Sequence, residues 1–352
     1  MPIRVLIVDD SAVMRELLAD IIHKQPDMEV VGFAGDPLIA REKIKALNPD
    51  VITLDVEMPR MDGITFLEKL MRLRPTPVVM ISALTENNAV ATLRALELGA
   101  VDYVTKPAGV MHADISEFAR EIGDKIRFAA KLKSRVARGH AAPAKSAGPI
   151  AFARPTSTTS QCLICIGAST GGIDAIKQIL VQMPAECPPI VIVQHLPDLF
   201  TRAFAQRMNN LCTISVKEAE HKEKLQTGHA YVAPGHSHLT LTRSGGRYSI
   251  HLNQEPPFNR HRPSVDVLFN SIAKFADAST VGILLTGMGH DGAEGLLEMK
   301  RAGAFTIAQD EESCVVFGMP RSAIEKGAAA KVLPLQSMPT EIFTYLRSHA
   351  HP

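Results

Sequence analysis

The chain lacks an excess of either charge. Lys and Arg number 38 and Asp and Glu 37 among 352 residues, a formal net charge of +1. That balance excludes a strongly basic nucleic-acid binder and an acidic tail protein as overall descriptions. Long apolar runs are also missing. None approaches the ~18 residues that a membrane helix needs, and the longest, such as Val281 to Leu285, have strand length. Glycine and proline, 23 of each, stay near average, so the chain is neither collagen-like nor wholly disordered. Cysteine is scarce, with five residues at 162, 165, 187, 212 and 314. An odd number without framework spacing excludes a disulfide scaffold and suits the cytoplasm. Cys162-Leu163-Ile164-Cys165 lies in an apolar, strand-like run. Positions three apart on a strand face opposite sides, so core thiols are expected there, not a metal or redox pair. The segment Met1 to Asp10 has no basic stretch followed by a long apolar one, and no secretory leader is expected. No internal repeat is visible.

What is present is an apolar fraction of 46%, ordinary for a folded chain, and a length that suggests roughly two domains. One segment breaks the pattern. Ser134 to Ser160 consists largely of Ala, Pro, Ser, Thr and basic residues, as a flexible tether would. The expected division is a first domain over 1–130, a linker over 131–160 and a second domain over 161–352.

Before the linker, apolar strands alternate with amphipathic helices. Strands are expected at Ile3–Val8, Glu29–Ala34, Val51–Asp55, Pro77–Ser82 and Val101–Val104, and a helix at Ser11–Lys24 with Ser11 as its cap. Runs such as Val-Leu-Ile-Val lack alternation, as parallel strands covered on both faces do. The result is a small five-stranded, doubly wound α/β domain. After the linker, strands are expected at Cys162–Ile166, Ile190–Gln194, Val281–Leu285 and Ala304–Ala308. Helices are expected at Ile173–Met183, Asp198–Asn210, Ser264–Ala276, Gly292–Arg301 and Thr340–Ser348. Shorter strands at Tyr231–Ala233, Leu239–Thr242 and Tyr248–Leu252 surround a hairpin signal at Gly245-Gly246. This is a second, larger α/β parallel-sheet domain.

In open α/β sheets, ligands bind at the carboxyl ends of the strands. In the first domain, Asp9 and Asp10 follow strand one and Asp55 ends strand three. Three acids in one pocket repel one another, and a hard divalent cation such as Mg2+ relieves that. Ser82 ends strand four and Lys106-Pro107 follows strand five, so a hydroxyl and an ammonium join the acids. Together they make a site for a phosphoryl group. The Lys106–Pro107 bond is expected to favour cis, which fits a loop that presents the lysine.

This constellation resembles the receiver domain of two-component response regulators over about residues 1 to 125. The carrying pieces are Val8-Asp9-Asp10-Ser11, Leu54-Asp55 through Asp62-Gly63, Ile81-Ser82-Ala83 and Tyr103-Val104-Thr105-Lys106-Pro107. The resemblance implies that Asp55 accepts the phosphoryl group. It implies Mg2+ held by Asp10, Asp55 and the Glu57 carbonyl, with Asp9 assisting. Ser82 and Lys106 would sense the phosphoryl group, and Tyr103 would be the aromatic switch.

In the second domain, Gly167-Ala168-Ser169-Thr170-Gly171-Gly172 follows a buried-type strand and precedes a helix. Gly-x-Ser-x-Gly at such a junction sets Ser169 on a tight elbow beside a helix N-terminus, whose amides favour developing negative charge. A phosphate or dinucleotide cradle is the competing reading. The Gly-x-Gly-x-x-Gly order is absent, however, and the next strand ends in a histidine, not an acid. That histidine, His195, can approach the serine. Asp291, on a glycine-flanked turn after a later buried strand, could orient the imidazole. The order Ser, His, Asp differs from that of α/β-hydrolases, so the elbow does not assign that fold. His236 and His238 form His-x-His, but no third ligand at metal-site spacing accompanies them.

This half resembles the catalytic domain of the chemotaxis protein-glutamate methylesterases. The pieces are Gly167 to Gly172, Val193 to Pro197, Ala233-Pro234-Gly235, Arg262 to Asp266, Leu285 to Gly292, Gln309-Asp310-Glu311 and Phe317 to Pro320. A receiver followed by this domain matches the family's whole architecture. The resemblance implies catalytic Ser169, His195 and Asp291, with the Met288 amide holding the oxyanion and no cofactor at the serine site. It implies hydrolysis of glutamate γ-methyl esters on chemotaxis receptors with release of methanol, and deamidation of receptor glutamines. The implied partners are methyl-accepting receptors and a phosphodonor histidine kinase, without nucleic acid or membrane insertion. The unmodified receiver would restrict access to Ser169, and phosphorylation would relieve that. The rival readings are a phosphorylation-controlled binding module and a receiver-linked transcription factor. The second needs a basic helix-turn-helix after the linker, and none is apparent.

Overall fold

A computed structural model describes residues 1–83, 85–107, 112–133 and 162–349. The chain divides into two compact units, Met1–Ala144 and Lys145–Pro352. Apart from its first three residues, the expected linker at 131–160 lies outside the described residues.

The first unit alternates strand and helix throughout: β1 (Ile3–Val8), α1 (Ala12–His23), β2 (Met28–Ala34), α2 (Pro37–Leu47), β3 (Val51–Asp55), α3 (Gly63–Leu73), β4 (Val78–Ser82), α4 (Glu86–Glu97), β5 (Asp102–Thr105) and α5 (His112–Lys131). Its five strands form one sheet in the order β2-β1-β3-β4-β5, every pair parallel. Val5 to Val8 and Val78 to Ile81 are almost wholly inaccessible, because helices cover both faces. Short polar residues start the helices. Ser11 accepts from Met14 N, Asp36 from Leu38 and Ile39 N, and Asp62 from Thr65 N. The strand order reverses between β1 and β3, which opens a crevice at their carboxyl ends.

The second unit contains β6 (Leu163–Ala168), α6 (Gly172–Leu180), β7 (Ile190–Gln194), α7 (Asp198–Leu211), β8 (Ser215–Glu218), β9 (His229–Val232), β10 (His238–Ser244), β11 (Arg247–Asn253), α8 (Val265–Ala273), β12 (Thr280–Leu284), α9 (Ala293–Arg301), β13 (Phe305–Gln309), α10 (Met319–Glu325), β14 (Lys331–Leu333) and α11 (Met338–His349). Seven strands make a parallel sheet in the order β14-β13-β12-β6-β7-β9-β8. Strands β10 and β11 pair antiparallel as a separate ribbon. Gly245 and Gly246 close that hairpin at φ of 56° and 76°, the left-handed pair that a two-residue turn requires. Leu268, Phe269 and Ile272 of α8 and Leu296 and Met299 of α9 pack with Val191, Val193 and Tyr231 in one core. Here the order reverses between β6 and β12, and the loops after β6, β7 and β12 meet at that switch point.

Elements β8, α10 and β14 escape the sequence reading. Strands β8 and β14 have four and three residues and lie at the two sheet edges; β14 is mostly exposed and β8 buries only Val216, so neither carries an apolar run. Helix α10 has only seven residues, too few for a helical period to register. Cys162 and Cys165 are buried free thiols, as expected of core residues.

Candidate active site

Two clusters occupy the two crevices. In the first unit, oxygens of Asp9, Asp10 and Asp55 lie within 4.8 Å of one another, with Asp9 and Asp55 buried and Asp10 exposed. Lys106 Nζ donates to Asp55 Oδ2 at 2.8 Å and stands 3.1 Å from Asp9 Oδ2. That second approach is not aligned as a hydrogen bond, and Asp9 Oδ2 remains a buried acceptor without a hydrogen-bond partner. Burial pushes the Asp55 carboxyl up to about 6. The Asp9 charge adds to this, and the Lys106 ammonium works against it. Three carboxylates, one with an oxygen that accepts no hydrogen bond among the described residues, are an oxygen-ligand set that suits a hard divalent cation. The Glu57 side chain points to solvent, while its backbone N–H supports the charged form of Asp55.

Ser82 is fully buried at the end of β4; its hydroxyl donates to Ala83 O at 3.2 Å and accepts from Thr92 at 3.0 Å. Tyr103 is buried in β5 with the Lys125 ammonium 4.9 Å from its ring centroid. Burial raises its phenol well above the ordinary range. The ends of β1, β3 and β5 thus bring Asp9, Asp10, Asp55 and Lys106 together, while Ser82 and Tyr103 make their contacts with Ala83, Thr92 and Lys125. The Lys106–Pro107 bond, in contrast, is not cis; among the described residues the cis bond is Arg262–Pro263. Trans is the lower-energy form of an X–Pro bond.

In the second unit, β6 runs directly into the elbow. Ser169 N donates to Thr286 O at 3.0 Å, and Gly172 N donates to Ser169 O at 2.8 Å, which closes the turn. Gly171 takes φ of 77° to make it. Gly287 is where the loop after β12 passes Ser169. A Cβ there would stand 2.8 Å from Ser169 Cβ and 2.2 Å from Met319 Sδ. Next along the chain, the Met288 N–H has no hydrogen-bond partner among the described residues. An unpaired amide beside the elbow can receive a developing oxyanion.

His195 follows β7, and its N–H donates to Ala168 O at 3.1 Å, which sets it beside the elbow. Its ring Nε2 bonds Asp291 Oδ2 at 2.8 Å, whereas Nδ1 is buried without a partner among the described residues. No hydrogen bond joins Ser169 to the ring. Such contacts are often long before substrate binds.

Asp291 is buried and accepts from His195, Asn259, Ser264 Oγ and the amides of Val265 and Asp266. Burial alone would raise its carboxyl, but the His195 bond and charge, with the Asn259 and Ser264 donors, hold it well below the usual range. An ionised carboxylate can only accept, so the imidazole carries its proton on Nε2 and leaves the Nδ1 lone pair as a base. The arrangement can activate a hydroxyl and stabilise an oxyanion.

Asn259, His261, Ser264 and Asp266 also belong to this site. Ser264 reads from sequence as the start of a helix and does cap α8. Its second bond, to Asp291, has no local signature. His261 stacks on His195 with ring centroids 3.7 Å apart.

Comparison with known proteins assigns both units to families. Residues 164–342 match the family model for CheB methylesterase, and residues 5–114 match that for the response regulator receiver domain. A Geobacter metallireducens protein-glutamate methylesterase/protein-glutamine glutaminase is 59% identical over 99% of this chain and 98% of its own length. The chain belongs to this methylesterase family. A second relative, from Thiobacillus denitrificans and of the same description, is 57% identical over 99% of this chain and 98% of its own. The catalytic domain of Thermotoga maritima CheB methylesterase superimposes with a TM-score of 0.51 at 40% identity, over 52% of this chain and 97% of that one. Both α/β units are therefore those of the family: a receiver, then a hydrolase domain. Among the described residues, no helix is long and apolar enough to cross a membrane.

Proposed function

We propose that this methylesterase-family chain is a phosphorylation-activated protein-glutamate methylesterase. It hydrolyses glutamate γ-methyl esters on methyl-accepting chemotaxis receptors, releases methanol, and deamidates receptor glutamines. The observation that carries the reading is the His195–Asp291 bond at 2.8 Å with the opposite ring nitrogen left without a partner at the serine elbow.

In this reading Ser169 Oγ attacks the ester carbonyl while His195 Nδ1 takes its proton. The Met288 N–H holds the carbonyl oxygen as it gains charge. Asp291 stays ionised and steadies the imidazolium. His195 returns the proton to the departing methoxide, and methanol leaves. Water then enters and gives a proton to His195 as its oxygen attacks the acyl carbon; His195 passes that proton to the departing Ser169 Oγ, which leaves a free glutamate side chain and the starting enzyme. A glutamine follows the same route with ammonia as the leaving group.

The receiver is proposed to span residues 1–130, a tether 131–160 and the catalytic domain 161–352. Asp55 takes a phosphoryl group from a histidine kinase, Ser82 and Lys106 contact it, and Tyr103 responds. Asp9, Asp10, Asp55 and the Glu57 carbonyl would hold Mg2+, which when bound would supply positive charge for the phosphoryl oxygens. Five free cysteines support a reducing, cytoplasmic setting. The test is methanol release from methylated receptors by the intact chain and by Ser169→Ala. Release that survives the substitution removes Ser169 as nucleophile. No release by the intact chain, with or without phosphodonor, favours a binding module.

A further inference from the structure

The segment Phe258-Asn259-Arg260-His261 is a closed two-residue turn. Phe258 N donates to His261 O at 3.1 Å, and His261 N donates to Phe258 O at 2.9 Å. Both central residues have positive φ, 50° at Asn259 and 68° at Arg260. Asparagine tolerates that region, but an exposed arginine does so only under constraint. A turn needed only for reversal would place glycine there. The constraint has a visible result. Asn259 Nδ2 donates to Asp266 Oδ2 at 2.7 Å and to Asp291 Oδ1 at 3.0 Å. His261, at the end of the turn, covers one face of the His195 ring.

We propose that Asn259 is a positioning residue for the hydrolase centre, and that through it the buried Asp266 supplies a second negative charge behind the His195–Asp291 pair. An amide group has two N–H bonds fixed in one plane. Each is aimed at one of two buried carboxylates that would otherwise repel. Clamping Asp291 Oδ1 leaves Oδ2 directed at His195 and at Val265 N, 2.7 Å away. Asp266 is held from its other side by Gly295 N at 2.7 Å. Burial, with the Asp291 charge adding, pushes its carboxyl up to about 6, so it is charged at neutral pH and neutral below. The other titrating and charged groups near it are His195 and His261 through Asp291, His238 of β10 at Ser264 N, and Lys326 paired with Glu294.

The inference rests on the triad assignment above, and the experiment separates the two. Methanol release from methylated receptor membranes is followed with the full chain between pH 5 and pH 8.5. Asn259→Ala is expected to lower kcat on the order of 10- to 100-fold with KM within about twofold, as misplacement of a base does. Asp266→Asn keeps the shape and removes the charge. Its deficit should be near zero at pH 5, where the native carboxyl is already protonated, and grow to about tenfold at pH 8. A role in folding alone would show as a smaller folded fraction in unfolding curves taken in the same buffers, with kcat per folded molecule unchanged at every pH. Asn259→Ala should also cost less in the Asp266→Asn background, because the repulsion it bridges is gone. A raised KM with unchanged kcat, a pH-independent deficit, or additive losses overturns the proposal. If Asn259→Ala does not fold, the Asp266→Asn profile decides alone. An active Ser169→Ala removes the triad reading and this one with it. An inactive Ser169→Ala beside a normal Asn259→Ala removes this one alone.

Discussion

A buried carboxylate that accepts bonds from three side chains and two backbone amides has no good amide substitute, because one of its acceptor oxygens becomes a donor. Asp291→Asn is therefore expected to impair turnover strongly by misorienting His195. Ser169→Ala and His195→Ala should each lower it by at least about 10³-fold with the fold intact, measured as methanol release beside an unfolding curve. Asp266 carries a pH prediction for stability. Its folded carboxyl titrates at about 6, above the ~3.9 of an unfolded Asp. The folded state thus binds more protons between those values, and stability falls as pH rises through that window. Asp266→Asn should flatten that part of the melting-temperature profile of the catalytic unit; an unchanged slope would refute it. Ser169, His195, Asp291 and the three receiver aspartates were legible because each follows an apolar run that reads as a strand. Asn259 and Asp266 were not. Their role depends on a turn and a helix start meeting a loop more than 20 positions later, as the Asp266–Gly295 and Asn259–Asp291 bonds record.

At the scale of elements, the hydrolase centre depends on how closely two loops can pass. Gly287→Ala would force a methyl group toward Ser169 Cβ and Met319 Sδ, at 2.8 and 2.2 Å. Overpacking of this kind costs about 1–3 kcal/mol. A displaced elbow should lower activity on the order of 10- to 100-fold. Activity near that of the unsubstituted chain would show that the loop yields without moving Ser169. Strands buried on both faces were the easiest elements to read: Ile3–Val8, Val51–Asp55 and Ile190–Gln194 have the expected bounds. Edge strands such as β14, exposed along most of its length, gave no periodic signal.

For the whole molecule, control is the property to test. A phosphodonor with Mg2+ should raise methanol release by roughly 5–150-fold, the span of a 1–3 kcal/mol coupling. Asp55→Asn should abolish that rise, and so should chelation of Mg2+. A normal response in Asp55→Asn would exclude this acceptor. The segment from Thr159 onward should outpace the unphosphorylated full chain, and equal rates would exclude restraint by the receiver. Replacing all five cysteines with Ser or Ala should preserve activity, with packing losses of about 0.5–3 kcal/mol each. Loss of activity on adding a reductant would show a disulfide instead.

The sequence by itself determined the class of both units, the positions of their buried strands along the chain and the residues that follow them. These follow from local hydrophobic runs and from the rule that parallel sheets present their carboxyl ends to ligands. Tertiary structure decided what those residues touch. It chose which imidazole nitrogen faces Asp291, left the Met288 amide without a partner among the described residues, and brought Asn259 between two carboxylates. Contacts of that kind arise where separate loops converge, and a one-dimensional pattern carries no signal for the convergence.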